Sequence, residues 1–391
     1  MKKVITLILT LLLLAGAVLP IFAETATPLP PGAVYVSAPA LPAAAYPSVS
    51  ARGAILIEAY SGTAIFGHNA DARLPMASTT KIMTAVVALS HACLDTVVTV
   101  PAAAVGVEGS SMYLFLGERI TMRTLLFALM LRSANDAATA IAIEIAGSVE
   151  GFAMLMNYTA ARLGLTGTNF TNPHGLDHEQ HYTTASDLAA ITAYAMGYPM
   201  FREIVSTKTY TVELMDKDGS RHFSNSNRLL RTYDGAVGVK TGFTRRSGRS
   251  LVSAAYRDGT LLIAVTINAP NDWSDHRSMH DYGFARHQNI TLAVPHQFQR
   301  EIPVVTGTQE YLRVSNPMGA HLFLPAGEVN ITQETTLREM RFAPVRAGEV
   351  VGQVRYLNNG EEVAVIDLVA MESVFLRIQP PTFWDRLLRR G

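Results

Sequence analysis

The sequence has almost no cysteine and no excess of either charge. Its 391 residues include one cysteine, Cys93, and 32 basic side chains against 32 acidic ones. A single cysteine excludes a disulfide within the chain. A formal net charge of +0 argues against a nucleic-acid-binding protein, because such proteins usually carry a clear basic excess. No Cys–His motif surrounds Cys93, which we interpret as a small apolar core residue.

The first 23 residues, MKKVITLILTLLLLAGAVLPIFA, have the layout of a secretory signal peptide. Two lysines precede an apolar core from Val4 to about Leu14, and small residues precede Glu24. We expect cleavage after Ala23. The alternative is an uncleaved anchor, since the apolar stretch nearly reaches the length of a membrane span. Both the cleaved signal peptide and the uncleaved anchor predict an exported protein.

Changes in composition divide the rest of the chain. Residues 24–50 are rich in Pro, Ala and Ser and predict an extended linker. Residues 51–294 start with a hairpin pattern, continue with Ala- and Leu-rich helical spacing, and return to strands joined by an Asp258-Gly259 turn. With a length that allows two domains, this order predicts an α+β domain whose sheet is assembled from both ends of the segment.

Residues 295–378 lack helical periodicity and carry short Val-rich strands in succession. The clearest pair of strands flanks Asn359-Gly360, a strong hairpin signal. The apolar residues that alternate along this hairpin are Val354, Tyr356, Val363 and Val365. The pattern predicts a separate small all-β domain, a sandwich, without a catalytic constellation.

Residues 379–391 predict a short basic amphipathic segment. In a helix, one face would carry the apolar residues and the other the basic ones, namely Phe383, Trp384, Leu387 and Leu388 against Arg386, Arg389 and Arg390. Segments of this kind lie on anionic membranes, so we expect contact with the outer leaflet of the cytoplasmic membrane. The alternative is a frayed polar tail.

Ser78 and Lys81 stand three residues apart in MASTTKIMTA, where a helical apolar run begins. Residues i and i+3 share one face of a helix, so the Lys81 amine can reach the Ser78 hydroxyl. The helix N-terminus adds free N–H groups and the positive end of the dipole. The alternative is an N-cap serine beside a solvated lysine. The pair alone favours that alternative, because a chain of this length contains about one Ser-x-x-Lys by chance.

Two more elements follow in order. LRSANDAA places Ser133 and Asn135 between helices, although Ser133 could be an N-cap with Asp136 as its capping-box partner. VGVKTGFT is a strand that carries Lys240–Gly242, a tripeptide expected by chance in about one such chain in ten. Glycine at this point lets a ligand approach the strand backbone closely.

The ordered set Ser-x-x-Lys, Ser-x-Asn and Lys-Thr-Gly resembles the penicillin-recognising serine enzymes. Over nearly its whole length the chain is most similar to the low-molecular-weight D-alanyl-D-alanine carboxypeptidases, the serine peptidases of family S11. The stretches TNPHGLDHEQHYTTASDLA and DGAVGVKTGFTRRSGRSLVSAA carry much of this similarity. The resemblance implies a β-lactamase/transpeptidase-like domain, in which an antiparallel sheet packs on a helical cluster, followed by the β domain. It also implies removal of the terminal D-alanine from peptidoglycan pentapeptide stems, inhibition by β-lactams, and no cofactor.

Reaction chemistry and the resemblance together give the residues their roles. Ser78 is the nucleophile and Lys81 the base that takes its proton. Burial and the nearby cation Lys240 would lower the pKa of Lys81 enough for that task. Ser133 relays the proton to the departing D-alanine, and Asn135 orients Lys81 and the substrate amide.

The substrate-binding residues are implied by the same resemblance. The backbone N–H groups of Ser78 and Phe243 form the oxyanion hole. Thr241, with Lys240 nearby, holds the terminal carboxylate. The strand that contains Gly242 aligns the peptide by backbone pairing. Arg245, Arg246 and Arg249 follow this strand. They either shape the substrate's charge preference or belong to a solvated loop.

Histidines cluster twice, at His174, His178 and His181 and at His276 and His280. A zinc-protease motif would need Glu after the first His, and Arg277 stands there instead, so we predict no metal site. Tyr182 is interpreted as a packing residue.

Two alternative functions remain open. A serine β-lactamase needs a base for rapid acyl hydrolysis, and no Glu-x-x-Leu-Asn stretch follows Ser133 to supply one. A non-enzymatic penicillin or peptidoglycan sensor would acylate without turnover. Release of D-alanine, of penicilloate, or of neither separates the three functions.

Overall fold

The structure is a computed structural model that describes residues 33–37 and 46–378. The predicted signal peptide, much of the predicted linker and the tail at 379–391 lie outside the described residues. Residues 33–37 form a strand within the predicted linker. The remaining elements divide into a domain of helices and sheet and a domain of strands.

Within the described residues, eight α-helices and eighteen β-strands are numbered here in chain order. The helices are α1 Lys81–His91, α2 Met122–Leu131, α3 Asn135–Ala146, α4 Val149–Arg162, α5 Ala185–Met196, α6 Pro199–Ser206, α7 Leu229–Thr232 and α8 Asp272–Arg286. The strands up to the end of the first domain are β1 Ala33–Ser37, β2 Gly53–Glu58, β3 Ala64–His68, β4 Val97–Thr99, β5 Arg119–Thr121, β6 Thr209–Glu213, β7 Ser220–Ser224, β8 Ala236–Thr244, β9 Gly248–Arg257 and β10 Thr260–Ile267. The later strands are β11 His287–Ala293, β12 Gln299–Val305, β13 Tyr311–Ser315, β14 Gly319–Pro325, β15 Ile331–Leu337, β16 Arg341–Phe342, β17 Val350–Asn358 and β18 Glu361–Ala370.

The first domain is built on a five-stranded antiparallel sheet with the order β3-β2-β10-β9-β8. Alternation along β2 separates its two faces. Ile55 and Ile57 join the core shared with the helical cluster, whereas Leu56 packs against α8 on the other side. β2 and β10 come from opposite ends of the domain, as predicted, and the α+β fold class is confirmed. The strand β8 lies at the sheet edge.

The predicted Asp258-Gly259 turn joins β9 to β10. Both residues have positive φ, 47° and 78°, as a two-residue type I′ hairpin requires. Asn359 and Gly360 join β17 to β18 in the same way, with φ of 52° and 85°. In both hairpins the second residue of the turn is glycine, which adopts this conformation without strain.

The second domain is a sandwich of two sheets around one core. Its larger sheet has the order β15-β17-β18-β13-β12-β16, and its smaller sheet the order β1-β14-β11. Side chains from both sheets, such as Leu322 of β14 and Ile366 of β18, share the core. The strand β1 pairs in parallel with β14, from Ala33 opposite Gly319 to Ser37 opposite Phe323. The segment predicted as a linker therefore contributes a strand to this domain.

One side-chain prediction was wrong. Cys93 is exposed, because it lies in the loop after α1 ends at His91. On β18, Val363 and Val365 are only half buried, whereas Ala364 and Ile366 face the core. The pairing of β17 with β18 shifts register between Tyr356 and Leu357, next to the turn. Val363 is the extra residue at this shift, so the residues of β18 beyond it that face the core are Ala364 and Ile366.

No single helix within 33–37 and 46–378 has both the length and the apolar character needed to cross a bilayer. The helices α3 and α4 pass that test only when joined across a bend of 83°.

A buried polar cluster lies between α8 and the sheet. The hydroxyl of Ser253 lies 2.6 Å from His276 Nδ1 and 2.7 Å from His280 Nε2. Burial lowers the pKa of His276 well below its ordinary value and lowers the pKa of His280 to about 3. Over the described residues, no group of three or more His, Cys, Asp or Glu side chains is arranged to hold a metal ion.

These histidines predict a loss of stability in acid. Below about pH 6.5 the unfolded chain takes up protons that the folded protein does not bind, so the free energy of unfolding falls with pH. This loss approaches about 1.4 kcal/mol per pH unit for each such histidine and ends near the folded pKa. Urea denaturation between about pH 7 and pH 4.5 measures the slope. H280Q should reduce the change of unfolding free energy with pH by up to about 1.4 kcal/mol per pH unit, the contribution of one proton. The exposed-site control H68Q should not, and equal slopes in the two variants would contradict the assignment.

Candidate active site

Ser78 lies in a short 3-10 turn, Ala77–Thr80, that leads directly into α1. The turn starts from Ala77, whose φ of 47° is costly for a residue with a Cβ. Two threonine hydroxyls hold this backbone, since Thr79 donates to Met76 O at 2.6 Å and Thr80 to Ala77 O at 2.7 Å. Ser78 makes no capping bond to either helical segment. The N-cap alternative is therefore excluded.

Lys81 is fully buried and its Nζ has three oxygen neighbours. Ser78 Oγ lies at 3.0 Å, Asn135 Oδ1 at 2.7 Å and the carbonyl oxygen of His174 at 2.5 Å. Burial lowers the pKa of Lys81 far below its usual value, and the charge of Lys240 lowers it further, while Asp136 opposes the shift. This shift provides the neutral amine that a general base requires.

The neighbours decide where the lone pair of that neutral amine points. A neutral amine has two N–H groups and one lone pair. Neither the Asn135 amide oxygen nor the His174 carbonyl can donate, so each must accept one N–H. The lone pair then faces Ser78 Oγ, which can donate its proton. The surroundings of Lys81 thus orient it as an acceptor for the serine proton.

Ser133 follows α2 in an unusual backbone conformation, with φ of 60°. Its hydroxyl is buried and has no hydrogen-bond partner within the part of the chain that the structure describes. The helix α3 begins at Asn135 without a side-chain cap. Asp136 instead accepts from the hydroxyl of Ser111 at 2.6 Å and the backbone N–H of Leu114 at 3.1 Å. The capping-box interpretation is wrong, and the Ser133 hydroxyl is available to a ligand.

Asn135 ties Lys81 to the loop before β5. Its Oδ1 accepts from Lys81, while its Nδ2 donates to Glu108 O at 2.5 Å. Its backbone N–H donates to Ser110 O at 2.7 Å. Because all three contacts orient the amide, Asn135 positions Lys81 rigidly.

The strand β8 brings the third motif against the serine turn. Lys240 is 1% exposed, its Nζ donates to Thr241 O at 2.9 Å, and burial lowers its pKa to about 7. A Cβ on Gly242 would lie 3.2 Å from Met76 O, Ser78 N and Thr79 N. Glycine therefore permits this close approach. As an edge strand, β8 has backbone groups that can pair with an extended peptide.

The predicted site residues come together around one cleft of about 380 Å³. Five of them line it, namely Ser78, Ser133, Thr241, Gly242 and Phe243. Lys81, Asn135 and Lys240 are buried behind this surface. Arg249 also lines the cleft and is held by two contacts of 3.1 Å to Asp272, whereas Arg245 and Arg246 are exposed and are not among the cleft-lining residues. Of the three arginines whose role the sequence left open, Arg249 is the one at the site.

Sequence reasoning missed the support given by the loop between α4 and α5. His174 contributes its carbonyl, which leaves no side-chain signature in the sequence. A Cβ on Gly175 would lie 2.0 Å from Ala77 O, so this loop can touch the serine turn only through glycine. The close spacing of His174, His178 and His181 is the one signal in the sequence that marks this loop.

His181 braces the serine turn. Its Nδ1 accepts from Thr171 N at 3.0 Å, so the proton must sit on Nε2, which lies 2.7 Å from the Thr80 hydroxyl. Thr80 in turn donates to Ala77 O. Burial lowers the pKa of His181 to about 3, which keeps the ring neutral.

Comparison with known proteins identifies the family. The D-alanyl-D-alanine carboxypeptidase family model, Peptidase_S11, matches residues 40–271, more than half of the chain. The model of the penicillin-binding protein 5 C-terminal domain matches residues 293–375. The chain therefore belongs to the serine-type D-alanyl-D-alanine carboxypeptidases. The predicted family and hydrolase class are confirmed.

Relatives of the same type match over most of their length. D-alanyl-D-alanine carboxypeptidase DacC of Escherichia coli K12 is 32% identical over 346 residues, which cover 84% of this chain and 85% of that protein. D-alanyl-D-alanine carboxypeptidase DacF of Bacillus subtilis 168 is 29% identical, covering 83% and 86%. The crystal structure of penicillin-binding protein 5 from Haemophilus influenzae is similar at a TM-score of 0.68 and 29% identity, covering 85% of this chain and 99% of that one.

The contact of Gly242 with the serine turn predicts a selective defect. In G242A the new methyl group must displace β8 or the turn by a few tenths of an ångström. We expect penicillin acylation to slow by about 10- to 100-fold, since small misplacements of reacting groups cost rates of that order. Stopped-flow acylation measures the rate. G327A, at a glycine with open space around it, is the matched control. Equal rates in both variants would show that this close approach is unimportant.

Proposed function

We propose that Ser78, Lys81 and Ser133 carry out the carboxypeptidase reaction on peptidoglycan pentapeptide stems. The observation that supports this most is the lone pair of Lys81, which Asn135 and His174 leave facing Ser78. Ser78 Oγ attacks the carbonyl carbon of the penultimate D-alanine while its proton passes to Lys81 Nζ. The C–N bond then breaks, and the departing D-alanine amine takes a proton through the Ser133 hydroxyl.

Hydrolysis of the ester completes the cycle. Water attacks the acyl carbon, Lys81 accepts its proton, and the Ser78 oxygen leaves and regains a proton. During both steps the N–H groups of Ser78 and Phe243 hold the carbonyl oxygen as it gains charge. Thr241, supported by Lys240, binds the terminal carboxylate of the substrate. A β-lactam acylates Ser78 in the same way, but its amine stays attached to the acyl group.

Replacing the nucleophile or the base tests these roles. S78A should abolish both the penicillin adduct and the release of D-alanine from a pentapeptide. K81A should slow acylation by about 10³-fold or more, because the serine loses its base. Intact-protein mass spectrometry follows the adduct, and an assay for free D-alanine follows turnover.

The exposed S206A at the end of α6 is the control serine variant. An adduct mapped to another serine, or full activity in K81A, would overturn the assignment. An adduct without any D-alanine release from a pentapeptide would favour the sensor alternative, and rapid release of penicilloate would favour a β-lactamase.

We further infer that the protein is exported and contacts the membrane through residues 379–391. The support lies in the sequence, where residues 1–23 have the signal pattern and Trp384, Leu387 and Arg390 belong to an amphipathic pattern. The apolar face would enter the headgroup region of the outer leaflet, and the arginines would attract anionic lipids. The active site would then act on peptidoglycan while the second domain stays near the membrane.

Removing the tail tests the membrane contact. Deletion of residues 380–391 should release the protein from anionic lipid vesicles in a sedimentation assay and leave D-alanine release unchanged, because the catalytic residues lie in the other domain. Neutral vesicles serve as the lipid control. Equal sedimentation of the truncated and full-length proteins would contradict the proposal.

A further inference from the structure

The end of the second domain from which the tail leaves carries a cluster of exposed apolar side chains. We infer that this cluster, here called the exit patch, is a membrane-contact surface in its own right. Its members are Val305, Met340, Phe342, Phe375, Leu376 and Ile378. Phe342 is 64% exposed, Phe375 67% and Ile378 86%. Large apolar side chains exposed to this degree in a group are typical of interaction surfaces.

Backbone pairing holds the exit patch together. Val305 at the end of β12 is paired with Phe342 of β16, and Ala343 N donates to Val305 O at 3.0 Å. The chain segment after β18 lies beside them, since Thr308 N donates to Phe375 O and Arg377 N to Thr306 O, each at 2.8 Å. Three separate segments therefore lie side by side at this end of the domain.

The exit patch is not an unfinished part of the domain core. The neighbouring residues Val304, Val345 and Val374 are 8%, 1% and 0% exposed and already close the core on the inner side. The patch residues are additional apolar area on the outside. Their exposure costs solvation free energy in water, which a bilayer interface would offset.

The position of the exit patch favours a lipid surface as its occupant. Residues 379–391 follow directly from Ile378, so the patch adjoins the amphipathic segment proposed above to lie on the membrane. The exposed Arg377 stands between two patch residues and suits anionic headgroups, whereas the exposed Glu339 beside Met340 and Glu310 near Leu376 would be repelled by them. This inference rests on the proposed membrane contact of the tail. The exit patch adds a second contact, between the folded second domain and the bilayer. This contact would restrict the tilt of the domain relative to the membrane.

Vesicle binding by the secreted chain, residues 24–391, tests the exit patch. The test variant is F342Q/F375Q, and the matched control is M154Q/Y158Q, which replaces two exposed apolar residues, 69% and 63% exposed, on α4 of the other domain. Both are made with and without residues 380–391. Vesicles of phosphatidylglycerol and phosphatidylethanolamine are compared with phosphatidylcholine vesicles. Penicillin adduct formation verifies the fold of the first domain in each variant, and urea denaturation followed by far-ultraviolet circular dichroism verifies the fold of the second.

In the background that keeps residues 380–391, the test variant should bind anionic vesicles about tenfold more weakly, since each aromatic transferred from water contributes up to about that factor. The control should bind like the parent chain. In the parent chain, hydrogen exchange should slow at 305–308, 341–343 and 375–378 when anionic vesicles are added. This measurement does not depend on how well a variant folds.

Three outcomes overturn the inference. If F342Q/F375Q binds like the parent while tail deletion releases the protein, the tail acts alone and its own proposal stands. If the parent chain binds no vesicles, both proposals fail. If the parent chain is a dimer that F342Q/F375Q dissociates in analytical ultracentrifugation, with no exchange protection from lipid, the patch is an interface with a second copy.

Discussion

The buried amine of Lys81 is the constraint around which the active site is arranged. An ammonium group in this position would lack water, and the desolvation that lowers its pKa is what would let Lys81 act as the proposed base. Its two fixed acceptors come from α3 and from the loop before α5. Displacing either acceptor would free the lone pair to turn away from Ser78. The catalytic geometry thus depends on tertiary packing rather than on α1 alone.

Glycines and braced turns make that packing possible. Gly175 and Gly242 approach the serine turn from two sides, each at a distance that a Cβ would obstruct. Between them, Ala77 keeps a conformation that is costly in isolation and is held by threonine hydroxyls. The neutral His181 extends this bracing into the loop. The proposed nucleophile, Ser78, is therefore positioned before substrate arrives, which would reduce the reorganisation that the reaction requires.

Local signals in the sequence were sufficient for the type and order of the main elements. The helix α2, Met122–Leu131, lies in the segment whose Ala- and Leu-rich spacing predicts helices, and both two-residue turns lie where Asp-Gly and Asn-Gly predict them. The site motifs were found because their chemistry resides in side chains. Backbone contributions, such as the His174 carbonyl, have no such signature. The prediction that Cys93 is buried was wrong because α1 ends at His91 and leaves this residue in an exposed loop.

The pairing of β1 with β14 has a consequence for how the chain folds. A strand that precedes the first domain completes the smaller sheet of the second, so this sheet cannot close until nearly the whole chain has emerged. Contacts so distant in sequence form slowly, and until then β14 presents an open edge that can pair with other chains. A fragment cut to the second domain alone would keep that edge permanently. The two domains therefore follow one another along most of the chain, but the second cannot finish folding without a strand that precedes the first.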